Sequence, residues 1–381
     1  MQPFQLPLRF HAFGNYLQVP SYDIGEPTAQ YQFGDDFVTT IRPTAVDRGI
    51  KWEETTSYNF GIDYGFADNR FTGSIEYYFK ETEDLIFRVP VPAGTFTSNF
   101  VTTNIGTLEN QGFEFSIDAA VFEGEGGGFW WNAGFNASTN DNQIVEINPF
   151  GSGSEIILVG GISGGVGNNI QVLTPGVEAY SFYVYRHRLD ADGRPVYADL
   201  DGDQSIDDAE RLLMYEDVNE DGIINQDDRV PFESPAPNWI FGHTSRMGFG
   251  NFDAGFTVRA HLGNHVYNNI ASNNGHYRAL SYVVAPNNLH ASVLETGFAD
   301  EQYFSDYYVE DASFLRMDNL TLGYTLPPLA GGQQVRLFGT EQNVFTLTEY
   351  RGVDPLGTNN GIDNNLYPRS RTFTAGANVR F

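Results

Sequence analysis

The feature that most constrains this chain is a strict alternation of long and short connections between segments of period-two hydrophobicity. Read back from the carboxyl end, the segments 369–381, 333–345, 311–326, 251–264, 236–248, 129–141, 109–122, 70–82 and 52–66 place apolar residues at every second position. In the last of the chain, Phe373, Ala375, Ala377, Val379 and Phe381 share one face, and Thr372, Thr374, Gly376, Asn378 and Arg380 share the other. Such a period marks a half-buried β-strand. In 236–248 and 311–326 the alternation slips midway, for which a β-bulge is the expected reason. The connections 83–108, 142–235, 265–310 and 346–368 are long, whereas 67–69, 123–128, 249–250 and 327–332 are short. In an up-and-down sheet, successive connections emerge at opposite ends. All short turns then lie at one end and all long loops at the other.

Membrane-spanning barrels have that asymmetry, with short periplasmic turns and long extracellular loops. A soluble sandwich has no reason to produce it. Each run is also about twice the length of an ordinary soluble strand. A tilted membrane strand needs about 9–11 residues in hydrocarbon, plus overhang. The expected fold is therefore all-β: the C-terminal segment of an antiparallel up-and-down transmembrane β-barrel with long extracellular loops. A chain ending on an aromatic, Phe381, at the close of such a strand fits a bacterial outer-membrane barrel. Phe and Tyr number 31 and 21, an excess suited to aromatic belts at two membrane–water interfaces. No apolar run is long enough for a transmembrane helix. Cysteine is absent, so disulfide and thiol chemistry are excluded. The net charge of −28 makes nucleic acid a poor partner and favours divalent cations. Residues 1–20 show no basic segment followed by an apolar core, so no signal peptide is read there.

The stretches KWEETTSYNFGIDYGFADNRFTGSIEYYFKETEDLI, NIGTLENQGFEFSIDA, WNAGFNASTNDNQIVEI, DVNEDGIINQDDRV, DASFLRMDNLTLGYTLP, LFGTEQNVFTLTEYRGVDP and YPRSRTFTAGANVRF occur collinearly from about residue 50 to the end. In these the chain resembles the SusC/RagA family of TonB-linked outer-membrane transporters, the TonB-dependent receptors typical of the Bacteroidota. The resemblance implies that residues 51–381 are the carboxyl-terminal part of a 22-strand barrel, supplying about nine to eleven of its strands. Residues 1–50 match poorly and are expected to add one or two strands. The resemblance also implies a Gram-negative outer-membrane location, surrounding lipid, uptake of a glycan or peptide, and a SusD-like surface lipoprotein as partner. The family's plug domain and TonB box have no counterpart here. The chain is accordingly read as a barrel fragment that meets TonB only through that plug region, with no catalytic residues and no organic cofactor.

The loop 142–235 carries the strongest site chemistry. DVNEDGIINQDD places Asp217, Asn219 and Asp221 at positions 1, 3 and 5 of an EF-hand-type loop, with Gly222 at 6, the Ile223 carbonyl at 7, Ile224 at 8 and Asp228 at 12. Alternate side chains converge on a hard cation, glycine permits the bend, and the last carboxylate closes the shell. Upstream, DLDGDQSIDDAE offers Asp199, Asp201, Asp203, the Ser205 carbonyl, Asp207 and Glu210 at matching positions, with Gln204 weakening position 6. Only six residues separate the loops, too few for paired EF-hand helices, so isolated, weakly binding structural Ca²⁺ loops are expected, the second stronger than the first.

Other motifs carry less. GGISGGVGNN (160–169) lacks the ending of a phosphate loop and reads as a flexible external loop. His261 is expected to line the lumen. Tyr303, Tyr307 and Tyr308 read as exposed loop aromatics, suited to sugar stacking or interface anchoring. Carboxylate pairs such as Glu53–Glu54 and Asp300–Glu301 are expected by chance in so acidic a chain. The rival readings are a secreted, calcium-stabilised β-protein that binds polysaccharide and, behind it, an acidic glycoside hydrolase. Neither accounts for the one-sided loops.

Overall fold

The nine alternating runs form the nine long strands of one antiparallel sheet. They are β1 (Glu54–Phe66), β2 (Phe71–Glu83), β3 (Gly106–Phe122), β4 (Trp130–Thr139), β5 (Trp239–Phe249), β6 (Phe252–Leu262), β7 (Phe314–Thr325), β8 (Gln334–Thr348) and β9 (Thr372–Arg380). This computed structural model describes residues 19, 22–24, 30–39, 41–91, 100–124, 126–147, 156–164, 167–203, 206–281, 288–328, 332–356, 358 and 360–381. Every long strand pairs with its neighbour in sequence, so the order is a simple meander with β1 and β9 as edges. Asp141–Ile147 continues β4 past Asn140 and pairs with the start of β3. Ahead of β1, Tyr22–Ile24 pairs with Ile41–Pro43, and Gln30–Phe33 with Asp36–Thr39.

Register keeps each face uniform across the sheet. Directly opposed residues alternate between an apolar row and a polar row, because side chains on a strand have a period of two. The apolar face is bare: Phe60, Ile62, Phe113, Phe252, Leu322 and Phe373 are all exposed. No second protein layer covers them among the described residues. A contiguous apolar face of this kind belongs against lipid.

The two slipping segments have different causes. In β7 the slip is a bulge, with Asp318 the extra residue between Met317 and Asn319. In β5 there is no bulge, since its register is unbroken against both β4 and β6. Its outward row is Trp239, Phe241, His243, Ser245, Met247 and Phe249. The pattern falters because two polar residues occupy apolar positions, and the strand itself stays regular.

The buried apolar residues gather elsewhere, in the long loops. The loop between β2 and β3 contributes the hairpin Ile86–Pro90/Phe100–Asn104. Leu85, Val89 and Val101 there pack with Ile144, Ile147 and Leu173 from the loop between β4 and β5. That second loop also builds a four-stranded sheet from Ile157–Gly161, Asn169–Leu173, Ser181–Val184 and Val230–Pro231, and a helix α1 (Asp208–Met214). The later loops form a three-stranded sheet of Val309–Asp311, His265–Asn268 and Ile362–Asp363. Ile170, Phe182, Tyr267, Phe298, Tyr308 and Ile362 join three loops in one core. The molecule thus has a lipid-facing wall and a globular cap with a conventional interior, both at fixed ends of the same strands.

Candidate functional site: the polar wall and the acidic loops

The face of the wall opposite the apolar one is mostly polar, with Ile240, Phe314 and Phe338 as apolar exceptions. Its rows follow from register: Asn132, Arg246, Gly255, Thr321, Thr340 and Thr374 are successive partners from β4 to β9. These side chains bind one another across strands. Ser74 and Ser116 hydroxyls lie 2.9 Å apart, as do those of Thr321 and Thr340. Arg336 on β8 donates to Asp253 on β6 at 2.8 Å through Nε. Glycine opposite an aromatic lets large rings lie flat on the wall. A Cβ at Gly112 would stand 2.7 Å from the Tyr78 hydroxyl, and one at Gly376 would stand 2.6 Å from the Phe338 ring.

Near the cap, Arg259 and Arg316 are direct partners on β6 and β7. Like charges so placed repel, and each arginine has its own carboxylate. Arg259 donates to Asp318, the bulge residue, at 3.1 Å. Arg316 donates to buried Asp354 at 2.7 Å, and Asp354 also accepts from Arg369 at 2.6 Å. Asp354 belongs to the loop between β8 and β9, so this group ties that loop to the inner wall. His261 lies beside them, buried against the Phe314 ring at 4.8 Å.

The two acidic loops share one closing geometry. Glu210 accepts from the backbone N–H of Leu200 and from that of Asp207 at 2.9 Å. Asp228, fully buried, accepts from Val218 N–H at 2.9 Å and Asn225 N–H at 2.8 Å. Both twelfth-position carboxylates therefore grip the second and ninth N–H groups of their own loop. Both also complete a capping box that starts the following helical turn, at Asp207 and at Asn225. Gly222, at position 6, has φ +82°, the conformation for which glycine is required.

Side chains at positions 1 and 3 bond the backbone of their own loop in both cases. In the first, carboxylate oxygens of Asp199, Asp201 and Asp203 lie within 4.8 Å of one another. Ligands at about 2.3–2.6 Å from a common Ca²⁺ meet that limit. In the second, Asp217 accepts from Asp221 and Gly222 N–H, Asn219 from Asp221 N–H, and Asp221 from Ile223 N–H, at 2.9–3.2 Å. The first loop bonds itself in the same way, Asp199 accepting from Gly202 N–H at 2.8 Å and Asp201 from Asp203 N–H at 3.1 Å. Side-chain to backbone bonding of this kind is therefore common to both loops. Ser205 and Gln204 lie outside the described residues. The expectation that the loops are isolated is corrected. Ile224 is buried with Ala198, Met214 and Tyr215, and Ile206, at the same position of the first loop, packs on that cluster.

Several residues escaped the sequence reading. Arg229, immediately after the second loop, is buried between the rings of Tyr183 and Phe304 at 4.5 and 4.1 Å, and donates to the Asn169 carbonyl at 2.7 Å. Burial lowers its pKa to about 10, so it stays charged at neutral pH. His187 bonds the Ser305 hydroxyl at 2.8 Å and the Val196 carbonyl at 2.7 Å. Burial lowers its pKa to about 4. Arg351 holds Glu295, Tyr307 and Glu310 together across two loops. Short irregular strands carry no periodicity, so these anchors had no signal beyond a charged or aromatic residue in a loop. Tyr308 is wholly buried, and Tyr303 and Tyr307 are half-buried, so the three are loop-core residues and not an exposed sugar platform. Of the segment 160–169, Gly161 and Asn169 pair across the hairpin of Ile157–Gly161 and Asn169–Leu173, and residues 165–166 lie outside the described residues.

Comparison with known proteins agrees with this geometry. The family described as TonB dependent receptor-like, beta-barrel, matches residues 5–194, starting ahead of the motifs that begin near residue 50. TonB-dependent receptor SusC of Bacteroides thetaiotaomicron is 36% identical over 96% of this chain and 36% of its own length. TonB-dependent receptor P3 of Formosa agariphila is 31% identical over 87% of the chain and 34% of its own length. The chain thus spans about a third of the relatives it matches. The solved RagAB peptide transporter superposes over 96% of this chain and 39% of its own, at 21% identity and a TM-score of 0.70. The apolar outer rows, the polar inner rows and these relatives agree: the chain belongs to the TonB-dependent receptor β-barrel family, whose members sit in the outer membrane and are not enzymes.

Proposed function

We propose that this chain is the carboxyl-terminal wall of an outer-membrane receptor that imports a glycan or peptide nutrient, its loops seating a surface lipoprotein of the SusD type. The observation that carries this reading is the one-sidedness of the molecule. Polar rows line one face, lipid-compatible rows the other, and every long loop folds into a cap at the same end. Such an arrangement supplies a hydrated path with a selective outer mouth. TonB coupling is assigned to the plug region that the family carries, and substrate choice to the cap. Disruption of the gene should abolish growth on one oligomeric nutrient, and uptake of labelled oligosaccharides and oligopeptides would tell which. Unchanged uptake of both would refute the import role. A secreted polysaccharide-binding protein is disfavoured by the bare apolar face, and should be soluble without detergent.

A second reading concerns the acidic loops. Asp217, Asn219, Asp221, the Ile223 carbonyl and Asp228 in the second loop, and Asp199, Asp201, Asp203, the Ser205 carbonyl and Glu210 in the first, would hold Ca²⁺, and the ions would pin the cap where millimolar calcium is present. Affinity of about 10⁻⁴–10⁻³ M is expected, as for extracellular modules. Chelation with EGTA should increase proteolytic nicking between residues 190 and 235. Cleavage that is the same with and without EGTA would argue that no ion binds.

A further inference from the structure

We infer that the outward face of β5–β8 carries, at its turn-side rim, a binding site for one acyl chain of a membrane phospholipid. This rests on the membrane placement of the wall and adds a discrete site to it. A notch of about 580 Å³ opens there, within the size range of small-molecule sites. Its floor is low because Ala254 and Gly339 stand where neighbouring positions hold large residues. A Cβ built on Gly339 meets nothing within 4 Å, so the space above it is open. Met247, Leu322 and Leu337 form its sides.

The occupant follows from position and chemistry. Phe249 and Phe252 are the last pair before the two-residue turn, and the Phe252 and Tyr324 rings lie 4.7 Å apart beside them. Aromatic rows of this kind mark the membrane–water boundary. The notch lies one to two residue pairs further into the wall, at acyl depth. Among the described residues of its lining the one charged side chain, Asp253, is turned to the opposite face, where Arg336 holds it. Nothing charged is therefore offered to a headgroup. The notch is continuous with the lipid-facing rows on both sides, and a hydrocarbon chain is the ligand that such a lining accepts. Recognition would be of chain and not of headgroup.

The test is native mass spectrometry of the protein extracted in mild detergent and progressively delipidated. The wild type should keep one phospholipid after the rest are stripped. Gly339→Phe, whose Cβ meets nothing within 4 Å, should lose it, while Ala137→Phe on the outward face of β4 should keep it. Phosphatidylethanolamine and phosphatidylglycerol should be retained equally. Ala254→Leu gives an independent filling variant, and heat-modifiable mobility reports that each variant is a folded barrel. In a complementary titration, brominated phosphatidylcholine in detergent should quench a Met247→Trp reporter with saturation near one equivalent. Two results would overturn the site: equal lipid retention by folded wild-type and filled proteins, or quenching that rises without saturation. A protein dimer formed through this face, insensitive to delipidation, would overturn it as well.

Discussion

At the scale of single residues, burial of hydrogen-bonding groups sets the vulnerable points of the cap. His187 is held neutral among Ser305, Val196 and the Phe298 ring, 5.5 Å away, with a pKa near 4 against an ordinary value of about 6.5. A base whose pKa falls on folding favours the folded state above the unfolded pKa. That stability is lost as pH falls from about 6.5 toward 4, by about 3 kcal/mol. Protease resistance of the cap should fall across that window, and His187→Gln should flatten the dependence. Asp228 poses a different case. Its carboxylate satisfies two backbone N–H groups, and leaving a buried donor unsatisfied costs about 1–3 kcal/mol. Asp228→Ala should therefore speed nicking between residues 190 and 235 even in EGTA, where neither protein holds an ion, which separates the brace from any ion.

At the scale of elements, register governs the wall. A one-residue slip moves every side chain to the wrong face, so the Asp318 bulge is part of the specification of β7. Deleting Asp318 should close the bulge with Leu315 and Met317 still outward, because Met317 and Asn319 already face the adjacent residues Val258 and Thr257, and should leave Arg259 without its carboxylate beside Arg316. Heat-modifiable mobility should persist at a lower unfolding temperature, and its complete loss would show that the bulge sets the register. On β5, Trp131 Nε1 donates to the Ser245 hydroxyl at 3.1 Å, and His243 Nε2 lies 3.0 Å from the same oxygen. The pair is tolerated on the lipid face because it is bonded within itself. His243→Leu should be neutral to folding in lipid vesicles. His243→Arg should cost about 2–4 kcal/mol, as a cation near the bilayer midplane does.

At the scale of the whole molecule, wall and cap draw on different forces. The wall's backbone groups pair along strands and its apolar side chains face lipid, whereas the cap buries a true apolar interior. Replacing residues 142–235 with a short turn should then leave an outer-membrane, heat-modifiable protein while reducing nutrient uptake at least tenfold. Loss of membrane assembly in that variant would show that cap and wall fold as one unit.

The wall was legible before any coordinates. Nine strands, their order, their faces and the end at which the loops lie all follow from a period of two and from connection lengths, which are local properties of the chain. The terminal row from Phe373 to Phe381 lies on the face read for it, opposite the Glu341 and Gly339 positions of β8. Local pattern could not distinguish a bulge at Asp318 from polar substitution at His243 and Ser245, because both break alternation alike. It could not foresee that Glu210 and Asp228 grip the second and ninth N–H groups of their own loops. Nor could it join Ile170, Tyr267 and Ile362 in one core. Those outcomes depend on contacts between segments far apart in the chain, whose geometry no spacing of residues records.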